Sequence, residues 1–164
     1  NKSIFSPIYT SNFLFKNIKT CILNKDKPEL IINYSNISQK FNKQMKLVLA
    51  HKMYGFPFLD KNGEYGISNR DNFIICDYTQ EELEKIQHFL STKLALYIFE
   101  STRYRMKYLE KYAFQFLPDI TKIKDFPSEI NDETIADFFQ FDSQDRENIK
   151  NLHKKNFKNF IHFK

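Results

Sequence analysis

The chain of 164 residues contains no tryptophan and only three glycines, at positions 55, 63 and 66. So little glycine excludes the glycine-rich loops whose bare peptide groups cradle phosphate. The two cysteines, Cys21 and Cys76, share no metal-ligand or redox spacing and read as buried or free thiols of a reducing compartment. Histidine is sparse as well. His51, His88, His153 and His162 stand apart with no paired ligand spacing, so no metal site is expected. The longest apolar stretch, Leu94 to Phe99, is about a third of what spans a bilayer. No signal peptide is visible, so no membrane partner is expected and the location is expected to be intracellular. Pro118-Asp119 invites comparison with a nuclease core, yet no Glu-x-Lys follows at a useful distance. The acidic pairs Glu81/Glu82 and Asp132/Glu133 fall at expected helix starts, where the helix dipole accounts for them. No base–nucleophile pair can be nominated, and no catalytic residue is assigned.

Phe, Ile, Lys and Asn make up more than two fifths of the residues, the mark of an AT-rich coding sequence. Codon drift therefore explains part of the lysine excess behind the pI of about 9.0. The charge is uneven: nine Lys face three acids over residues 1–60, whereas residues 125–147 hold eight acids and one Arg. A phosphate-facing surface is expected to draw on the earlier parts. Aromatic content of 16% gives enough apolar surface to offset chain entropy. The chain opens at Asn1 without methionine, so it is expected to be part of a longer polypeptide.

Residues 1–44 are Asn- and Lys-rich and irregular in pattern, with one short β-like run at Leu30-Ile31-Ile32. Lys46 to His51 reads as a buried strand with charge at its ends. Asn62-Gly63, between Phe56-Pro57-Phe58-Leu59 and Tyr65-Gly66-Ile67-Ser68, predicts a hairpin. Phe73 to Cys76 reads as another buried strand. Thr79 with Glu82 three residues on forms a capping box, and Leu83, Ile86, Leu90, Leu94 and Ile98 then make one apolar stripe over about five turns. This predicts one long helix from Thr79 to Glu100. A second helix over Arg103 to Phe116 would use Met106, Leu109, Ala113 and Phe116 as its inner face, and Leu117-Pro118-Asp119 would end it. Pro127 opens an acidic stretch with helical spacing, and Asp142 or Ser143 would cap a last helix through Ile149 and Leu152. The expected fold is α+β, a small, mostly antiparallel sheet packed by one long helix, with C-terminal helices. The expected divisions are an N-terminal irregular or strand segment over residues 1–44, an α+β core over 45–124, and an acidic then basic helical tail over 125–164.

Arginine supplies only four of the 25 basic residues, and two of them sit two apart in Ser101-Thr102-Arg103-Tyr104-Arg105-Met106-Lys107-Tyr108. Guanidinium is a planar, fork-shaped donor suited to phosphate oxygens and to the major-groove edge of guanine. One reading is a solvated helix start whose arginines pair with Glu100 or Glu110. The other places Arg103, Arg105 and Lys107 on one rim, with Ser101 and Thr102 as hydroxyl donors and Tyr104 as an amphipathic contact. The loop Ser68-Asn69-Arg70-Asp71-Asn72 is either plain turn chemistry or a second surface able to hydrogen-bond base edges. Lys52 reads as a surface lysine or a phosphate contact.

Residues from about Lys52 to Ile123 resemble the C-terminal target-recognition region of N6-adenine DNA methyltransferases of the combined restriction–modification kind. The matching segments are Lys52-Met53-Tyr54-Gly55-Phe56-Pro57, Gly63-Glu64-Tyr65-Gly66-Ile67-Ser68, Phe89-Leu90-Ser91-Thr92-Lys93-Leu94, Arg103-Tyr104-Arg105-Met106-Lys107-Tyr108-Leu109 and Phe116-Leu117-Pro118-Asp119. The acidic segment after Pro127 also looks like the tail that follows such regions. The resemblance implies a region that grips the duplex and reads its sequence. The catalytic domain of the parent protein would bind S-adenosylmethionine and transfer the methyl group. This chain has no Asn/Asp-Pro-Pro-Tyr/Phe tetrad and no cofactor loop, so it is expected to carry no cofactor and to be inert as an isolated enzyme. Its expected partners are double-stranded DNA and a methyltransferase catalytic domain, in the same chain or another. Together with the coding bias, the resemblance points to a large DNA virus or an AT-rich bacterium. A structural or protein-interaction module that retains the recognition fold is the alternative, with Phe138, Phe139 and Phe141, or Phe157, Phe160 and Phe163, as its patch if exposed.

Overall fold

The computed structural model describes residues 2–24, 27–52, 56–102 and 109–152. The longest paired strands lie where the composition looks least regular. A two-residue strand, β1 (Phe5–Ser6), flanks a long antiparallel pair, β2 (Phe15–Asn24) and β3 (Lys27–Ser35). Within this pair Ile18 stands opposite Ile32 and Cys21 opposite Leu30, and a bulge between Ile18 and Thr20 keeps both buried residues on one face. The pattern is obscured in the sequence because the other face carries Asn17, Asn33 and Ser35. Asn17 and Ser35 are fully buried, and the Asn17 amide donates to the Ser35 hydroxyl at 3.0 Å.

Three further strands form a second sheet. β4 (Lys46–Ala50) is central, with all five residues buried, between antiparallel neighbours β5 (Phe58–Asp60) and β7 (Asn72–Ile75). The remaining strand, β6 (Gly66–Ile67), joins the first sheet instead, parallel to β2. The fold is α+β, as expected, but it has two small sheets rather than one. The predicted Asn62-Gly63 hairpin is not formed, because its two arms enter different sheets. Asp60 decides this. Its carboxylate accepts the backbone N–H groups of Glu64 at 2.9 Å and Tyr65 at 3.0 Å, which wraps the loop over the strand end instead of returning it alongside. Gly63 has φ +62°, and a Cβ there would lie 2.5 Å from the backbone of Lys43 and Gln44. Its bareness therefore serves close packing against a neighbouring turn.

The same corner holds the most deeply buried charge among the described residues. Lys46, the charged start of the strand, is 0% exposed. Its ammonium lies 2.7 Å from Asp60 Oδ2, with the carbonyls of Tyr65, Phe41 and Gln44 at 2.6, 3.0 and 3.1 Å. The cation is thus fully surrounded by acceptors, the condition under which a buried pair offsets its desolvation.

The capping box forms as read. Thr79 Oγ1 accepts from Glu82 N, and Glu82 Oε2 accepts from Thr79 N. The single long helix does not form. α1 (Gln80–Leu90) ends at Ser91, and α2 (Lys93–Ser101) starts after Thr92. Ser91 Oγ donates to the Gln87 carbonyl and Thr92 Oγ1 to the Phe89 carbonyl, while Thr92 Oγ1 also accepts from Ala95 N. Two short hydroxyl side chains satisfy the end of one helix and the start of the next, which is how such residues compete with a continuous ladder. The bend lets Leu83, Phe89, Leu96 and Phe99 converge with Leu47 and Leu49 of β4 in one core.

Beyond α2, the second predicted helix is replaced over Lys111–Phe116 by a 3₁₀ segment, with Ala113 buried and Phe116 exposed rather than inward. Met106 lies outside the described residues. The acidic stretch forms α3 (Asp132–Phe138) and α4 (Ser143–Leu152), and Asp142 Oδ1 accepts from Asp145 N at 2.8 Å, making Asp142 the cap. Phe138, Phe139 and Phe141 are half-buried, and the first two pack on Phe126 with ring centroids 5.1 and 6.4 Å apart. Phe157, Phe160 and Phe163 fall outside the described residues.

Lys46→Met should cost about 3–5 kcal/mol in urea unfolding, because it leaves the Asp60 carboxylate buried without its cation. Lys46→Met combined with Asp60→Leu should recover only part of that loss, because the Glu64 and Tyr65 N–H groups then lose their acceptor. Full recovery would show that the carboxylate does not hold the loop.

Candidate nucleic-acid interface

Of the residues singled out as DNA contacts, Arg103, Tyr104, Arg105 and Lys107 lie outside the described residues. The two ends of their segment are described. On one side, Thr102 closes α2, its hydroxyl donating to the Ile98 carbonyl at 2.8 Å and to the Phe99 carbonyl at 3.3 Å. In this structure that hydroxyl is engaged with the helix. Ser101 beside it is exposed. On the other side, the Leu109 N–H donates to the His51 carbonyl at 2.8 Å. Tyr112 Oη donates to the Thr102 carbonyl, so the two ends of the segment are also held to each other.

His51 carries the connection further. Its backbone N–H donates to the Asp71 carbonyl at 3.0 Å, and its Nδ1 lies 2.9 Å from the same oxygen. Asp71 belongs to the Ser68–Asn72 loop. One histidine at the end of β4 therefore ties the polar loop before β7 to the return of the arginine-bearing segment. Lys52, exposed, follows it directly. The structure brings together Lys52, the Ser68–Asn72 loop and both anchors of residues 103–108 at one end of the three-stranded sheet.

The loop is held from within. Asn69 Oδ1 accepts the Asp71 N–H, and Ser68 donates both its N–H and its hydroxyl to the Ile18 carbonyl. Asn69 thus spends its side-chain oxygen on the turn, while Ser68 ties the loop to β2 of the first sheet. Arg70 projects from it exposed. Asn72 is buried, and its amide donates to the carbonyls of Asn69 at 3.0 Å and Lys19 at 3.1 Å, tying the loop to the first sheet. His51, Asn72 and Tyr112 organise this end; sequence reading nominated neither His51 nor Tyr112 for it, and took Asn72 only as part of the polar loop. A lone histidine, a turn asparagine and a tyrosine carry no spacing signal. Only the tertiary fold makes them meet.

The Leu117-Pro118-Asp119 stop is also built from side chains. Asp119 Oδ1 accepts from the Thr121 N–H and hydroxyl, and Oδ2 accepts from Tyr78 Oη at 3.1 Å. The Thr121 hydroxyl, with help from Tyr78, Lys122 and the Thr121 N–H, holds this carboxyl below its ordinary value. Burial and the bond to Asp119 push the Tyr78 phenol up. Burial raises the Cys21 thiol to about 12, so it is no nucleophile near neutrality.

Among the described residues no cluster of His, Cys, Asp or Glu is arranged to hold a metal ion, and no helix is long and apolar enough to cross a membrane. No protein-family model, curated protein or solved structure matches the chain.

Asn72→Ala should cost about 1–3 kcal/mol, because it leaves two carbonyls without their buried donor, and amide exchange should quicken through residues 68–71. An unchanged melting point and exchange pattern would deny Asn72 that role. Asp119 gives a pH dependence of definite sign. Its folded pKa lies below the ordinary 3.8, so its contribution is fully present above that value and is lost as pH falls through the folded one. Asp119→Asn should therefore flatten the acid limb of the stability curve. An acid limb identical to the native chain's would contradict the assignment.

Proposed function

We propose that this chain is a double-stranded DNA recognition module, the target-recognition region of a DNA adenine methyltransferase or restriction–modification protein. The observation that carries the reading is the convergence at His51, where the Arg70 loop and the return of the Arg103–Tyr108 segment are fastened to the same strand end. Lys52 and Arg70 are exposed there, together with the exposed hydroxyl-bearing Ser101. Lys and Arg supply salt-sensitive contacts to phosphate, while Arg103, Arg105, Arg70 and Asn69 are the candidate base contacts. The chemistry of methyl transfer, with S-adenosylmethionine, belongs to a catalytic domain of the parent or a partner chain.

A second reading, a protein-interaction module, has its own observation. Ile4, Phe5, Ile8, Tyr9 and Leu14 are all exposed along the β1 side of the first sheet, Ile8 by 67%. Such a grouping of large apolar side chains is a common mark of a protein contact.

Titration of labelled duplexes of varied sequence by fluorescence anisotropy separates the two readings. On the DNA reading, binding falls steeply with added salt, and Arg103→Ala or Arg105→Ala costs about 1–3 kcal/mol at the preferred sequence. Binding indifferent to salt and to both substitutions would leave the protein-interaction reading in its place.

A further inference from the structure

Directly beside this end of the molecule lies an open cavity of about 810 Å³ between the outer edge of β7 and the 3₁₀ segment. Its walls continue from the two pieces of chain fastened at His51. Phe73 follows Asn72 of the polar loop, and Glu110, Lys111 and Tyr112 follow Leu109. Phe73 and Phe114 form an aromatic floor with ring centroids 5.4 Å apart, and Phe114 is backed in turn by the buried Phe99 at 5.4 Å. Tyr112 is 42% exposed, yet its hydroxyl is pinned to the Thr102 carbonyl, so its ring is a held surface rather than a loose one. Glu110, Lys111 and Gln115 bring an acceptor, a cation and an amide to the same cavity.

We infer that this cavity receives a single unstacked nucleobase, with the Tyr112 ring as its stacking partner and Glu110 and Gln115 at its hydrogen-bonding edge. The inference rests on the DNA reading above. Three features select this ligand over a generic apolar one. The cavity holds aromatic walls together with polar groups, the combination by which proteins take up bases that have left the stack. It lies beside the Ser68–Asn72 loop and the Leu109 anchor at His51, so a base leaving a duplex held there has a short path. Lys111, exposed at the rim, and Arg70, at the head of β7, are placed for the phosphates on either side. An aliphatic partner would leave Glu110 and Gln115 without use, at a cost in desolvation.

The test compares a fully paired duplex with the same duplex carrying one bulged 2-aminopurine. Binding is followed by anisotropy and the base environment by its own fluorescence. The intact chain should prefer the bulged duplex by about tenfold, the scale of one base stacked on an aromatic ring. The 2-aminopurine emission should change on binding. Tyr112→Phe and Tyr112→Leu both lose the hydroxyl anchor, but only the first keeps a ring. The preference should therefore survive in Tyr112→Phe and vanish in Tyr112→Leu, with circular dichroism showing both folded. Salt-sensitive binding of the paired duplex without any preference for the bulge would overturn the base site and leave the DNA reading standing. So would a preference that persists in Tyr112→Leu, or one with no change in emission. Failure to bind either duplex would overturn both.

Discussion

The Lys46–Asp60 pair is the constraint around which the two sheets are arranged. A charge at 0% exposure is tolerated only when every hydrogen-bonding group around it is satisfied, and here the partners come from three separate pieces of chain. Lys46 begins the central strand, and Asp60 ends its neighbour. The Phe41 and Gln44 carbonyls belong to the turn that enters β4. Tyr65 immediately precedes β6, the strand that crosses to the first sheet. One ammonium group therefore fixes where β4 starts, where β5 stops and where the chain leaves for β2. The backbone accommodates it with unusual geometry, since Phe41 and Lys43 both have positive φ in the turn that supplies the acceptors.

From that corner the geometry of the proposed interface follows along β4. Its first residue is held by the ion pair, its middle is packed against α1 and α2, and its end delivers His51 to Asp71 and Leu109. A strand buried on every residue is a stiff arm, and the polar groups at its tip inherit that stiffness. The break at Ser91-Thr92 contributes from the other direction. By turning α2 away from the line of α1, it carries Thr102 to where Tyr112 can reach it. The site proposed for DNA and the cavity proposed for a base are thus both consequences of how a small core is closed.

Much of the fold could be read locally, and the failures share one cause. The capping box at Thr79, the strand at Lys46–Ala50, the strand before Cys76 and the cap at Asp142 rest on neighbours within four residues, and each is present. The missed features rest on distant partners. The hairpin at Asn62-Gly63 failed because Asp60 is engaged by a lysine 14 residues away and by the loop that follows it. Of the long β2–β3 pair only the Leu30-Ile31-Ile32 run of β3 was legible, because Asn17, Asn33 and Ser35 occupy one face and satisfy part of their polarity across the strands. Of the interface, the arginine pair and the Ser68–Asn72 loop were visible as types of residue, but their common anchor was not.

The amino-acid sequence alone determined the class of the fold, the starts of α1, α3 and α4 and the chemical character of the arginine segment, because propensity, capping and charge act over a few bonds. Tertiary structure decided which strands share a sheet, why a lysine lies in the interior, and that a histidine, an asparagine and a tyrosine meet at one end of β4. Those outcomes depend on burial, which makes a charge or amide seek whatever partner the packed chain brings near. No local pattern encodes the identity of that partner.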